Sequence, residues 1–152
     1  MRYRIACAQD YDALGQVMFR SIHEGTSPYI QAERAAWLPR ANAGATWAQR
    51  LDRQHIVLAE TEAAIIGFLT VEAEGDIDLA FILPEARGQG VFRGLLGRIT
   101  DHARSTGVTR LTTHASLMAQ PAFARHGFAI TLHETVRRNG ECLRRAAMVK
   151  NL

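Results

Sequence analysis

The chain has 152 residues, 47% hydrophobic and 22% charged, the make-up of one globular domain over residues 1–152 with a sizeable core. Its formal net charge of +3 comes from 18 Lys and Arg against 15 Asp and Glu, with Lys150 the only lysine. The arginines are scattered. Neither an aromatic-interleaved basic stripe nor a helix-turn-helix signature is present, so nucleic acid is not an expected partner, while mild positive charge suits an anionic small molecule.

The longest apolar run, "AAIIGFLTV", is too short for a bilayer, and "MRYRIACAQDYD" lacks the apolar core of a secretory signal. No membrane association and a cytoplasmic location are therefore expected. Cys7 and Cys142 lie too far apart in sequence for a metal-ligand pair or a disulfide framework, so both are expected as small buried apolar residues and no metal is expected.

In chain order, "YRIACA" alternates as a first strand. Asp10 is the candidate N-cap of a helix carrying Leu14, Val17, Met18 and Ile22 at helical spacing up to Gly25. In "TSPYIQAERAAWLP", Ser27 is placed to cap, Pro28 fits the first helical position and Pro39 stops the helix. Thr46 and Gln49 have the spacing of a capping box at the start of a third helix.

The period then changes. "HIVLAE" and "AIIGFLTVEAE" read as an antiparallel pair and "DIDLAFIL" as a central strand, with Asp78 on the face of Ala80 and Ile82. After a glycine-rich turn, Val91, Leu95, Leu96, Ile99 and Ala103 form the stripe of a helix ending near Gly107. "VTRLTTHAS" is a further strand, and "MAQPAFARHG" a short helix with Pro121 in its first turn and Gly127 as its C-terminal cap.

Asn139-Gly140 between two strand-like runs predicts a type I′ hairpin. With that loop, Arg138 opposes Glu141, Val136 opposes Leu143, Glu134 opposes Arg145, Leu132 opposes Ala147 and Ile130 opposes Val149. This register puts three apolar pairs and one opposite-charge pair on one face, agreement that a slip of one residue destroys. Arg137, Arg138, Arg144 and Arg145 are then solvated arginines on the hairpin.

The stretch "PEARGQGVFRGLL" joins the central strand to a helix through three glycines. A strand that ends at Leu83 and is followed by such a turn leaves helix N-terminal N–H groups without acceptors, a site that attracts anions. Glycines at 88 and 90 let phosphate oxygens approach the main chain, and Arg87 and Arg93 flank the turn. The stretch has no Gly-Lys-Ser/Thr, and it lacks the third glycine of a dinucleotide fingerprint. A phosphate ligand of another kind is expected.

"ILPEARGQGVFRGLL" resembles motif A of the GNAT superfamily of N-acetyltransferases. The resemblance extends along the chain through the order of elements, the "HGF" that ends the short helix and the terminal hairpin. "SPYIQAERAAWLP", "HASLMAQPAFARHGF" and "MVKNL" are similar to a bacterial subgroup of that superfamily with mostly uncharacterised members. The resemblance implies an α+β fold with a mixed, mostly antiparallel sheet, splayed middle strands, flanking helices and a C-terminal hairpin. It implies acetyl-CoA as co-substrate and transfer of its acetyl group to a primary amine of a small molecule or protein by direct attack in a ternary complex. A homodimer is a further possibility that it raises.

Carried onto this chain, the resemblance assigns the diphosphate to Arg87, Gly88, Gln89, Gly90, Val91, Phe92 and Arg93, and the pantetheine arm to the main chain of Ile82 and Leu83. Phe92 stands where the family usually has Gly or Ala. Phe123, four residues before Gly127, stands where many members have a tyrosine that protonates the departing thiolate, and a phenyl ring donates no proton. These two departures keep open an alternative, a module that binds CoA without turnover.

Amine attack needs a base, because an alkyl ammonium with a pKa of about 10.4 is mostly protonated near neutrality. Asp78 is one candidate, requiring a raised pKa, against its reading as an arginine-paired carboxylate; Glu72 and Asp76 are weaker ones. His114 and Ser116 project from one side of the following strand as candidates for proton transfer, with a cap the competing role for Ser116. A main-chain N–H of the central strand, at Ile82, is the candidate for stabilising developing oxygen charge. His23, Tyr29 and Trp37 are candidate acceptor-pocket residues.

Overall fold

The computed structural model describes residues 1–152. The chain runs β1 (Arg2–Ile5), α1 (Tyr11–His23), α2 (Gln31–Trp37), α3 (Gly44–Asp52), β2 (His55–Glu60), β3 (Ile65–Val71), β4 (Asp76–Ile82), α4 (Val91–Ser105), β5 (Arg110–Ser116), α5 (Gln120–Arg125), β6 (Ala129–Arg138) and β7 (Glu141–Asn151). The strands make one sheet in the order β1-β2-β3-β4-β5-β7-β6. Every neighbouring pair is antiparallel except β4 and β5. The fold is the expected mixed, mostly antiparallel sheet flanked by helices. No helix is long and apolar enough to cross a membrane.

Two apolar clusters cover the two faces of this sheet. One, of 17 buried residues, packs the α4 stripe Val91, Leu95, Leu96, Ile99 and Ala103 on Val57, Leu69, Ala115, Ala146 and Met148. The other, of 13, packs Leu14, Val17, Met18 and Ile22 of α1 with Trp47 and Leu51 of α3 on Leu58, Phe68, Leu79 and Phe81. The helical stripes legible in the sequence are thus the buried ones.

β4 and β5 pair only at Asp76 with Thr112 and Ile77 with Thr113, then diverge. Where the divergence begins β4 carries a bulge, since Val71 pairs with Ile77 but Leu69 with Ala80. The hydroxyl of wholly buried Thr70 accepts the Leu79 N–H at 3.1 Å within that irregularity. The extra residue reverses the alternation. Ile77 lies in the cluster under α4, whereas Leu79 and Phe81 lie in the cluster under α1, and Ala80 and Ile82 pack toward α4. Asp78 consequently does not share the face of Ala80 and Ile82; its carboxylate is bound by Arg50 and Gln54 from the α3 side.

Asn139 and Gly140 have φ of 49° and 85°, the two left-handed residues that a type I′ turn requires. The pairs of Arg138, Val136, Glu134 and Leu132 form as expected, but Ile130 faces Met148 instead of Val149 because Thr131 is the extra residue of a bulge. Asn139 also donates its side-chain amide to Ala36 O at 2.7 Å, fixing the hairpin tip to α2.

Three helix starts differ from expectation. Asp10 makes no side-chain bond to the N-terminus of α1; its carboxylate accepts the Cys7 N–H and the Arg4 guanidinium, which hold its pKa down at about 2. Ser27 accepts the Tyr29 N–H in a local turn, so α2 begins after Ile30, whose N–H is taken by Glu33. Thr46 lies inside α3, which begins at Gly44. Cys7 and Cys142 are both exposed: Cys7 follows the edge strand β1, and Cys142 falls on the outward position of β7 beside buried Leu143.

Candidate active site

A cleft of about 710 Å³ runs between the end of β4 with the N-terminus of α4 and the β5–α5 connection. Within it, no protein acceptor takes the main-chain N–H of any residue from Gly88 to Arg93, and α4 has no side-chain cap at Gly90. Gly88 and Gly90 have φ of 75° and 81°, and a Cβ added at either would meet no protein atom within 4 Å. Their conformation calls for glycine and the space in front of them is open. Unpartnered amides, a helix N-terminus and open space together suit a phosphate group.

The flanking side chains depart from the expected roles. Arg87 does not present a free guanidinium: its Nε donates to Ile82 O at 3.2 Å and its Nη2 to Ser21 O at 2.9 Å, bracing the turn against α1. Burial, with Arg34 nearby, lowers its pKa from the ordinary arginine value. Gln89 likewise donates its side-chain amide to Glu85 O, and Val91 is buried in the core. The arginines that line the cleft with neither an ion pair nor, like Arg87, a carbonyl partner are Arg93 and Arg125, the second of which is not among the residues singled out by the sequence.

Phe92 packs edge-on against Phe123 at 5.0 Å and lies 5.4 Å from the His126 ring. Its ring thus completes the aromatic wall of α5. Phe123 is itself buried between Phe92 and Phe128. At the end of β4, Leu83 is buried and gives its N–H to Ile66 O of β3 at 2.9 Å, so that amide is not available to a pantetheine arm. Main-chain groups alternate along a strand, so the N–H of Ile82 faces the opposite edge, toward the gap between β4 and β5.

A second pocket, of about 280 Å³, opens where β4 and β5 diverge, between α1–α3 on one side and the β6–β7 hairpin on the other. It meets the cleft at Ala80, Phe81, Ser116 and Ala119, which line both. The three leading catalytic candidates, His114, Asp78 and Ser116, all line it, with distinct roles. His114 places Nδ1 2.7 Å from Glu134 Oε1. An ionised carboxylate only accepts, so Nδ1 carries a proton, and in the neutral ring Nε2 is the nitrogen with the lone pair. The hydrogen bond from His114, with Arg145 close by, holds the Glu134 carboxyl below the usual carboxylate range.

Asp78 takes Arg50 Nε and Nη2 at 2.8 and 2.9 Å and Gln54 Nε2 at 2.8 Å. Burial pushes its carboxyl up, but those hydrogen bonds and the Arg50 charge together leave it below the ordinary Asp value. A base needs the opposite shift. Ser116 Oγ accepts the Ala119 N–H at 3.2 Å, closing the turn ahead of α5 without capping that helix, whose N-cap is Ala119. Asp76 accepts the Thr112 hydroxyl and lines the pocket; Glu72, raised by burial and its acidic neighbours, does not line it.

Tyr29 and Trp37 line the second pocket, their rings 5.4 Å apart. The Tyr29 hydroxyl donates to Arg144 O at 2.7 Å and accepts the Leu117 N–H at 2.8 Å, tying the α1–α2 segment to both strands beyond the divergence. His23 is not in either pocket: Nε2 is 2.7 Å from Leu38 O and the ring stacks on Phe19. Sequence reasoning missed Glu134 as the partner of His114. The hairpin register had already put Glu134 on the face of Ala147, and the missing step was that β5 lies beside β7, where His114 pairs with Ala147. No group of three or more His, Cys, Asp or Glu is placed to hold a metal ion.

Residues 12–151 match the family model described as an acetyltransferase (GNAT) domain. The uncharacterized N-acetyltransferase YafP of Escherichia coli (strain K12) is 26% identical over 132 residues, covering 86% of this chain and 83% of that protein. Among solved structures, a GCN5-related N-acetyltransferase from Rhodopseudomonas palustris superimposes with a TM-score of 0.91 at 28% identity, over 99% of this chain and 95% of that one. A GNAT superfamily phosphinothricin acetyltransferase from Sinorhizobium meliloti, solved with AcCoA, has a TM-score of 0.75 at 20% identity over 99% and 88% of the two chains, a likeness of fold.

Proposed function

Since this chain belongs to the GNAT acetyltransferase family and is an N-acetyltransferase, we propose that it transfers the acetyl group of acetyl-CoA to a primary amine of a small molecule by direct attack in a ternary complex. Acetyl-CoA supplies the activated thioester. The free amides from Gly88 to Arg93, with Arg93 and Arg125 beside them, are the groups that hold its diphosphate.

The N–H of Ile82, facing the gap, is the donor for the oxygen on which charge develops. His114 Nε2 takes the proton from the acceptor ammonium, and Glu134 fixes the imidazole tautomer that makes this possible. Asp78, held ionised by Arg50 and Gln54, positions α3 against β4 and takes no proton. Phe123 donates none. A thiol with a pKa of about 8.5, like that of cysteine, leaves as thiolate without a protein acid.

The observation that carries this reading is the run of partnerless amides opening into a cleft continuous with the His114 pocket. Free thiol should accumulate from acetyl-CoA only when protein and an amine are both present. Stabilisation by acetyl-CoA with no amine-dependent thiol across aminoglycosides, polyamines, amino acids and peptides would establish the alternative, a CoA-binding module without turnover.

A further inference from the structure

The charges around the second pocket are unevenly paired. On the α3 side Arg50 and Asp78 neutralise each other through two hydrogen bonds. On the hairpin side Arg138, Arg144 and Arg145 all line the pocket. The carboxylate bonded beside them, Glu134, lies 3.5 Å from Arg145 Nη2 and makes its shorter contact, 2.7 Å, with His114. Arg138 and Arg144 enter no ion pair. The Nε of Arg145 is buried without a hydrogen-bond partner.

Register shows which of these arginines share a wall with the proposed base. Arg145 lies opposite Ser116 on β5 and opposite Glu134 on β6, and Arg138, Val136 and Leu143 follow on the same face of the hairpin. His114 projects from that face too. Asp76, the carboxylate of the pocket without a cationic partner, is aligned with Thr112; Thr112 to Ser116 spans about 13 Å along β5. The end of the pocket that meets the cleft is therefore the arginine end, and the negative end is remote from it.

We propose that the acceptor is a small primary amine that also carries an oxyanion, a carboxylate or a phosphate, gripped by Arg145, with Arg138 adding positive charge further along the same wall, while its amine faces His114. The inference rests on the acetyltransferase reading above and names its substrate class. A buried guanidinium N–H without an acceptor is costly, and a two-oxygen anion matches the planar fork of donors that arginine presents. A polyamine would instead set a second ammonium against the arginines of this wall, Arg145 and Arg138, a like-charge juxtaposition that selects against it. A volume of about 280 Å³ suits a small molecule. The oxyanion gives such a ligand one orientation, with its amine on the His114 wall.

The test compares matched acceptors in the thiol-release assay with acetyl-CoA: an amino carboxylate, an aminoalkyl phosphate, the carboxamide and methyl ester of the carboxylate, and a polyamine. The anionic acceptors should exceed their neutral counterparts in kcat/KM by about tenfold or more, and the better of the two anions identifies the oxyanion. In the Arg138→Gln/Arg145→Gln double variant that ratio should fall toward one, mainly through KM. Arg145→Lys should restore part of it. Retained stabilisation by acetyl-CoA shows that the variants are folded. Preference for the neutral or polycationic acceptor overturns this inference and leaves the acetyltransferase reading standing. If no amine of any class releases thiol, both fall together.

Discussion

The two halves of the site are built from different material. The cleft is made of backbone: one contiguous segment, Gly88 to Arg93, supplies its hydrogen-bond donors, and its two left-handed glycines are local in sequence. The pocket is made of side chains brought together from α2, α3, β4, β5 and the hairpin. Backbone donors depend on turn geometry and tolerate change in most side chains around them. Side-chain walls depend on every strand pairing that places them, so they can change without disturbing the cofactor site. One fold can thus keep its co-substrate and vary its acceptor.

The sharpest way to break this division is to place charge in the backbone half. Gly90→Glu should abolish stabilisation by acetyl-CoA and with it all turnover, because its carboxylate would enter the space that a phosphate needs. No protein atom lies within 4 Å of a Cβ there, so the cost to the fold is only that of a left-handed non-glycine residue, about 1–2 kcal/mol. Gly90→Asn, which tolerates that conformation without a charge, should retain measurable stabilisation. An undiminished thermal shift for the Glu variant would remove the diphosphate from this turn.

His114→Ala tests the side-chain half and should do the reverse. It should lower kcat by about 10²–10³-fold while leaving the acetyl-CoA thermal shift in place, and Glu134→Gln should give a smaller loss in the same direction. If kcat is unchanged, His114 serves only as a hydrogen-bond partner of Glu134.

The same division governs what was legible in the sequence. The glycine turn and the Asn139-Gly140 hairpin announce themselves because their physical requirement, positive φ, is local. Helix stripes were legible because burial repeats with the helix period. Strict alternation in "DIDLAFIL" puts Asp78 on the face of Ala80 and Ile82, and nothing in that stretch marks the bulge, within which Thr70 of the neighbouring strand takes the Leu79 N–H. The pairing of Glu134 with His114 depends on β5 lying beside β7, and Arg87 faces α1 through a carbonyl, Ser21 O, that no local pattern reveals.

Arg87 is the residue where the two halves join, and its replacement should have a smaller effect spread over both. Arg87→Ala removes the bonds to Ser21 O and Ile82 O and should lower stability by about 2 kcal/mol, read as a lower midpoint in urea. Acetyl-CoA should still stabilise the variant, since the free amides remain. Loss of that response without loss of stability would return Arg87 to the phosphate contacts assigned by sequence.

The smallest expected effect separates Asp78 as a structural charge from Asp78 as a base. Its side chain and that of Arg50 are 22% and 40% exposed, between a surface pair and a buried one, so Asp78→Asn should cost about 1–2 kcal/mol and leave the pH dependence of kcat unaltered. The folded-state pKa lies below the ordinary Asp value because the Arg50 and Gln54 hydrogen bonds outweigh burial. The wild-type pair therefore contributes its full stability above the unfolded Asp value of about 3.9 and loses it as the pH falls through the lower folded value. The difference in stability between wild type and Asp78→Asn should be constant from neutrality down to about pH 4 and shrink from there to the lower folded value. A general base would behave otherwise: its replacement would lower kcat at a pH where the fold is untouched, the loss expected here of His114→Ala.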